Sequence, residues 1–216
     1  MERIQYLKIG EGDLATSQTI RFINDLVNQY CVDWDIIRLA RSITREVQER
    51  DKIGEADALF TWVKSNIKYV NDPTEAELLQ NPKITLQEKA GDCDDLVILL
   101  GSLNKAIGND IAFVTISFPG EKDFCHIYLV VLNKSFGLRG YDAASEYSYP
   151  GWVPPIVGRV RLWYDEKNYH DLAGFEDFFK KLFGWLKDSI DKAFKEFGRA
   201  LRKAGLGGVL NEIARA

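Results

Sequence analysis

Apolar residues recur every three or four positions through the first third of the chain, a spacing that predicts three amphipathic helices. The first helix begins near Thr16 or Ser17, the second begins near Asp33, and the third covers residues 55–69. Charged side chains occupy the opposite positions of the second helix and predict a solvated face. The polar segment 73–90, which contains two prolines, is predicted to be a loop across the mouth of a functional site.

The apolar run at residues 96–107 is long enough to form a buried helix. Asp92 precedes this run as a favourable N-cap, and Asp94 and Asp95 place negative charge in the first turn, where it suits the helix dipole. The pattern therefore predicts that Cys93 lies at the N-terminus of this helix.

Three short runs with strand composition follow the buried helix. They cover residues 111–118, 124–132 and 138–141. His126 lies in the second predicted strand, and Asp142 directly follows the third. The stretch 147–163 is rich in aromatic residues and proline, and is predicted to be a loop that lies either beside the substrate or over the core. Helices followed by successive strands favour an α+β fold with a mostly antiparallel sheet.

Cys93 is the candidate nucleophile of this chain. The reactive form of cysteine is the thiolate, and the positive end of a helix dipole lowers the pKa of a cysteine placed there. The carboxylates of Asp92, Asp94 and Asp95 act in the opposite direction. A reactive Cys93 therefore needs a cationic partner, for which an imidazolium is the usual choice. The helix terminus and such a partner together predict a favoured thiolate.

His126 is the candidate partner of Cys93. The chain has two histidines, and the other, His170, lies in a polar linker and is predicted to be exposed. Asp142 is predicted to orient His126, so that nucleophile, base and orienting group follow one another along the chain. Taken singly, these residues have simpler interpretations, such as an inert buried cysteine or an aspartate in a turn. The combination of all three favours a catalytic site.

A cysteine nucleophile of this kind also needs donors for the negative oxygen that develops during acyl transfer. The first donor is expected to be the backbone N–H of the nucleophile, and the candidates for the second are Gln80 and Asn66. Asp92 and Asp94 are alternatively candidates for a calcium site, because hard oxygen ligands suit this ion. Adjacent carboxylates do not have the regular spacing of a calcium-binding loop, so the preferred prediction is that no metal or other cofactor is used.

Several motifs, in this order, resemble those of the transglutaminase-like superfamily of papain-type cysteine enzymes. They lie within residues 60–86, 90–95, 125–131 and 140–143, and the resemblance extends over roughly residues 15–145. It implies a core in which a cysteine begins a helix packed on an antiparallel sheet, with histidine and aspartate on successive strands.

The first of these motifs is similar to the lead-in of transglutaminase-like proteins carried by tailed phages and prophages. This similarity implies association with a virion or a related particle. The chain is also similar to bacterial transglutaminase-like proteases, in some of which acidic residues beside the cysteine bind calcium.

The composition is that of an ordinary globular protein, with 46% hydrophobic and 28% charged residues among 216. The net charge of −4 argues against a general nucleic-acid binder. Three cysteines without paired spacing do not indicate a disulfide framework. The chain has no signal-peptide pattern and no apolar run of the roughly 20 residues that cross a bilayer. A cytoplasmic or virion-associated location is therefore expected.

The last part of the chain changes in character. Residues 171–201 show apolar positions, many of them phenylalanine, along one face of a predicted amphipathic helix. This face is predicted to dock on a protein partner or a second copy, with packing on the core of the same chain or on a membrane surface as alternatives. The predicted domain organisation is an N-terminal arm at 1–14, an enzyme domain at 15–170 and a helical extension at 171–216.

The sequence thus predicts a cysteine-dependent acyl-transfer enzyme with a papain-like α+β fold, in which N-terminal helices precede the nucleophile helix and its antiparallel sheet. Water as acceptor makes such a protein a peptidase or amidase, and a lysine amine makes it a protein cross-linking transferase. The alternative is a structural or assembly protein of a virion that keeps the fold and docks through its C-terminal helix.

Overall fold

The computed structural model describes residues 12–72, 78–133, 137–155 and 157–164. The predicted arm before residue 12 and the whole predicted extension 171–216, with its apolar face, lie outside the described residues, as does His170. The helices of the described part are α1 (Gly12–Tyr30), α2 (Trp34–Ile43), α3 (Lys52–Asn66), α4 (Pro82–Glu88) and α5 (Cys93–Ala106). The strands are β1 (Lys68–Tyr69), β2 (Ala90–Gly91), β3 (Asp110–Ile116), β4 (His126–Asn133), β5 (Gly137–Tyr141) and β6 (Val160–Trp163).

Helix α5 is the centre of the core. It packs against β3 and β4 on one side and contacts α1, α2, α3 and α4 elsewhere. Its residues from Asp94 to Asn104 are all buried, which explains why the sequence shows a continuous apolar run rather than one apolar face. The prediction of an α+β fold with a buried nucleophile helix on an antiparallel sheet is confirmed.

The main sheet has the strand order β5-β4-β3-β6, and every neighbouring pair is antiparallel. The predicted strands at 111–118, 124–132 and 138–141 correspond to β3, β4 and β5. The end of the segment predicted to be an aromatic loop is instead strand β6. It pairs with β3, where Trp163 is buried and its indole N–H donates to Thr115 Oγ1 at 2.9 Å. An isolated four-residue strand is difficult to distinguish from a loop before its partner strand is known.

The region between α3 and α5 differs most from the prediction. Helix α3 ends at Asn66, and the next residues form β1, which pairs in parallel with β2 just before Cys93. The predicted loop contains α4, where Asn81 caps the helix and Pro82 occupies its first turn. Proline is well tolerated at that position, so in this case it begins a helix. No helix in the described part of the chain is long and apolar enough to cross a membrane.

Candidate active site

Cys93 is the first residue of α5, and its position is fixed by the cap of that helix. Asp92 Oδ1 accepts hydrogen bonds from the backbone N–H groups of Asp94 at 2.9 Å and Asp95 at 3.1 Å. The carboxylate of Asp95 in turn accepts the backbone N–H of Asp92 at 3.2 Å. This reciprocal capping box holds the start of the helix rigidly. The sequence-based placement of Cys93 at a helix N-terminus is confirmed.

The surroundings of Cys93 favour the neutral thiol. Burial raises the pKa of Cys93 well above its ordinary value, and the negative charges of Asp94 and Asp92 raise it further. A hydrogen bond from the backbone of Ile127 acts in the opposite direction but does not prevail. Desolvation and the nearby carboxylates thus act against the predicted thiolate, whereas the helix terminus acts in its favour.

His126 and Asp142 are brought together by the pairing of β4 and β5. His126 is the first residue of β4, and Asp142 follows Tyr141, the last residue of β5. His126 Nε2 lies 2.8 Å from Asp142 Oδ2. Because Nε2 faces the carboxylate, Nδ1 is the imidazole nitrogen left to exchange a proton with another group. The predicted pairing of these two residues matches the geometry of the structure.

Asp142 is itself held by the loop that follows it. Its side chain is 1% exposed, and Oδ1 accepts the backbone N–H groups of Ala144 at 3.1 Å and Ser145 at 3.2 Å. Lys64, on α3, donates to the backbone oxygens of Ser145 at 2.6 Å and Ser148 at 2.7 Å. The Ser148 hydroxyl donates to the backbone oxygen of Asp142. This network leaves the carboxylate of Asp142 little freedom to leave His126.

Cys93 and His126 line the same cavity, whose volume is about 450 Å³. The backbone of Ile127, the residue after His126, is close enough to Cys93 to lower the pKa of its thiol. The nucleophile candidate therefore lies against the end of the strand that carries the histidine. The side chains of α1 that complete one wall are small or aliphatic: Ala15, Thr16, Thr19, Ile20 and Ile23.

Gln80 and Asn66 are not among the described residues that line this cavity. The Asn66 side-chain amide donates to the backbone oxygen of Trp62 at 2.8 Å, within its own helix. The backbone N–H of Gln80 donates to Asp95 Oδ1 at 2.7 Å, and the buried Gln80 Oε1 has no hydrogen-bond partner among the described residues. The structure does not bring these two sequence-predicted candidates to the cavity that contains Cys93.

Two residues that the sequence did not single out, Tyr69 and Asn71, do line the cavity. The Tyr69 hydroxyl donates to Asn71 Oδ1 at 2.8 Å. Burial raises the pKa of Tyr69, and the nearby carboxylate of Asp92 raises it further, so the phenol stays protonated at neutral pH. The available signal was their position within the motif region 60–86. The sequence pattern assigned Tyr69 to the end of a helix and Asn71 to the residues that end it, so neither was predicted to lie at the site.

Asp92 and Asp94 do not form a calcium site by themselves. Asp92 Oδ1 is used as the helix cap, and Asp94 Oδ1 lies 3.6 Å from Cys93 Sγ. Among the described residues, no group of three or more His, Cys, Asp or Glu side chains is arranged to hold a metal ion. Calcium takes about six to eight oxygen ligands. The donors of the described residues alone do not meet that requirement, so no chemical step is derived through calcium.

The core described here, a helix with a cysteine at its start packed on an antiparallel sheet, has a papain-like architecture. The family model of the transglutaminase-like superfamily matches residues 37–155, more than half of the chain. The chain therefore belongs to the transglutaminase-like superfamily. None of the curated proteins compared with it is significantly similar in sequence.

Solved structures with a similar arrangement include calcium-bound LapG of Legionella pneumophila, with a TM-score of 0.48, 13% identity, and coverage of 76% of this chain and 98% of LapG. A candidate cysteine protease from Cytophaga hutchinsonii has a TM-score of 0.45 and 19% identity, covering 67% of this chain and 52% of the other. A candidate protease from Parabacteroides distasonis has a TM-score of 0.47 and 8% identity, covering 57% and 25%. This chain thus spans about half the length of the Cytophaga protein and about a quarter of the length of the Parabacteroides protein.

Proposed function

We propose that this protein is a cysteine-dependent acyl-transfer enzyme that acts on an amide bond of a protein or peptide. Cys93 is the nucleophile, His126 exchanges the proton, and Asp142 holds the imidazole in its orientation. The observation that carries the proposal is the 2.8 Å contact between His126 and Asp142 at the edge of a cavity that also contains Cys93. A thiol, an oriented imidazole and a cavity that both residues line are the parts that acyl transfer needs.

The reaction begins with the neutral thiol. As Cys93 Sγ bonds to the substrate carbonyl carbon, its proton passes to His126 Nδ1 and the carbonyl π electrons move to the oxygen. When the carbonyl re-forms, the carbon–nitrogen bond breaks and the leaving amine takes the proton from His126. The product is a thioester on Cys93, and attack by water or an amine then restores the thiol. The raised pKa of Cys93 supports proton transfer during attack rather than a preformed thiolate.

The nature of the acceptor decides between a hydrolase and a cross-linking transferase. The cavity walls contributed by α1 are small and aliphatic, and they do not by themselves select between water and a lysine amine. A peptidase or amidase is the preferred assignment, because water reaches any cavity that opens to solvent. The transferase remains the alternative outcome of the experiment below.

The experiment follows acetyl transfer from p-nitrophenyl acetate to the protein, with and without an added primary amine. We expect an acetyl thioester on Cys93 that is hydrolysed and re-formed, and no turnover by Cys93→Ala. Cys31→Ala is the matched control and should behave as the unmodified protein does. Acetylated amine as the main product indicates the transferase. Equal turnover by Cys93→Ala would contradict the proposal.

The similarity of residues 60–86 to phage-borne proteins supports a second element of the proposal, in which the enzyme is carried by a virion or tail-like particle and docks through residues 171–201. A purely structural particle protein would keep the fold without the chemistry. The buried and multiply bonded carboxylate of Asp142, aimed at His126, favours the enzyme. Loss of acetyl transfer in Cys93→Ala distinguishes the two assignments.

A further inference from the structure

Strand β1 runs beside the residues that lead into the nucleophile. Tyr69 is paired in parallel with Gly91, and the backbone N–H of Val70 donates to the oxygen of Gly91 at 3.0 Å. In a parallel pair both chains advance together by the same rise per residue. Asn71 and Cys93 each follow the register pair Tyr69 and Gly91 by two residues, so the pairing brings the two chain segments to the same place. Both residues line the cavity.

The amide of Asn71 is exposed, and one hydrogen bond from Tyr69 orients it. The Tyr69 hydroxyl donates to Asn71 Oδ1 at 2.8 Å, which assigns the oxygen to the tyrosine side and leaves Nδ2 on the other. Within the described residues, Nδ2 makes no hydrogen bond. An asparagine amide has two N–H donors on that nitrogen. One edge of the amide is thus held by the protein, and the other edge is able to bind a group in the cavity.

The chemistry of the proposed function creates a specific need for such a donor. Attack by Cys93 places a negative charge on the former carbonyl oxygen, and this charge forms beside the carboxylates of Asp92 and Asp94. None of the described residues that line the cavity is a lysine or arginine. Apart from His126, which holds the proton of Cys93 at this stage, the described lining residues offer only neutral N–H or O–H groups to this oxygen. Thr115 Oγ1 already accepts the indole N–H of Trp163.

We propose that Asn71 Nδ2 is the side-chain donor of the oxyanion hole, acting together with the backbone N–H of Cys93, and that Tyr69 is its positioning residue. The proposal rests on the proposed acyl-transfer function. No proton is transferred in this step. The Nδ2–H group donates a hydrogen bond to the substrate oxygen, which strengthens as the carbon–sulfur bond forms and weakens again when the carbonyl is restored.

Two reactions of Cys93 separate this role from a structural one. Acetylation by p-nitrophenyl acetate passes through a tetrahedral oxyanion, whereas alkylation by iodoacetamide displaces iodide at a saturated carbon and forms none. Asn71→Ala is expected to lower the acetylation rate by about 10²- to 10³-fold, the usual cost of losing one oxyanion donor. Its alkylation rate should stay within about twofold of the unmodified protein, because the sulfur and His126 are unchanged.

Tyr69→Phe removes only the hydrogen bond that orients the amide, so a smaller loss of acetylation, about tenfold, is expected. Asn66→Ala is the matched control. It removes an exposed asparagine amide at the end of α3, outside the cavity lining, and should acetylate at the unmodified rate. Thermal unfolding of all three variants checks that each is folded.

Acetylation of Asn71→Ala at the unmodified rate would overturn the proposal. Equal losses of acetylation and alkylation would also overturn it, because they would show that Asn71 merely positions Cys93. If the unmodified protein does not acetylate on Cys93 at all, the proposed function itself fails. Failure of the proposed function is therefore seen in the unmodified protein, whereas failure of the oxyanion proposal is seen only in Asn71→Ala.

Discussion

The two halves of the candidate site are constructed in different ways. The nucleophile half is local: Asp92, Cys93, Asp94 and Asp95 arrange one another within a single helix turn. The acid–base half is assembled from distant parts of the chain, because His126 and Asp142 lie on separate strands and Lys64, on α3, anchors the loop after Asp142. The local half supplies carboxylates that keep the nucleophile protonated, and the distant half supplies the group that removes its proton.

This difference explains how one site can combine a buried thiol with acidic neighbours. The cap of a helix favours carboxylates for structural reasons, and those carboxylates raise the pKa of Cys93. The chemistry then depends on the oriented imidazole rather than on the thiol alone.

The largest effect is expected from Asp142→Asn, which changes the distant half. An amide presents N–H groups to His126 and favours the wrong imidazole tautomer, so acetyl transfer should fall by about 10⁴-fold while the fold is retained. The measurement is the rate of acetyl transfer from p-nitrophenyl acetate, with circular dichroism as a check of folding. Asp110→Asn, at the exposed start of β3, is the matched control. Unchanged turnover would mean that another residue orients His126.

A second effect is expected in stability, from Asp95 in the local half. Burial is the main reason that the pKa of Asp95 is raised from 3.8 to about 7. Between these values the folded protein binds more protons than the unfolded chain, so the free energy of unfolding falls as the pH rises. About three pKa units correspond to at most about 4 kcal/mol, a contribution present below about pH 4 and lost as the pH passes 7.

Urea unfolding at a series of pH values tests this expectation, with Asp95→Asn as the comparison. The stability difference between the two proteins should change over this pH range, because the asparagine does not titrate. Parallel curves for the two proteins would show that Asp95 is ionised in the folded protein throughout.

The smallest effect is expected from Asp94→Asn, which removes one negative charge beside the sulfur of Cys93. The pKa of Cys93 should fall, since this carboxylate is one of the groups that raise it. Alkylation by iodoacetamide near neutral pH should therefore accelerate by up to about tenfold. The pH dependence of alkylation, followed by mass mapping, measures the shift. Asp25→Asn, on the exposed side of α1, should leave the pKa of Cys93 unchanged. An equal shift in that variant would show that the net charge of the protein, and not the nearby carboxylate, sets this pKa.

The same contrast describes what sequence alone could predict. The cap at Asp92, the position of Cys93 and the buried helix follow from local patterns, and the structure confirms them. The order of Cys93, His126 and Asp142 suggested a triad, but the contact between the last two depends on how β4 pairs with β5. That pairing is a long-range property, which local spacing does not determine.

The residues that were missed depend on long-range pairing for the same reason. Asn71 reaches the cavity because β1 pairs with β2, two short strands whose local sequence did not suggest pairing. Whether the pKa of Cys93 is raised or lowered depends mainly on its burial, which only the packed structure reveals. The helix α4 was missed because proline was interpreted as a loop signal, although Pro82 lies in its first turn.

The central claim is that the two halves act as one site, with His126 removing the proton of Cys93 during acyl transfer. The most direct measurement is mass mapping of the protein after brief reaction with p-nitrophenyl acetate and acid quenching, for the unmodified chain and for His126→Ala. The account predicts an acetyl group on Cys93 rather than on Cys31 or Cys125, and its loss in His126→Ala. Equal acetylation of the three cysteines, or undiminished acetylation of Cys93 in His126→Ala, would contradict it.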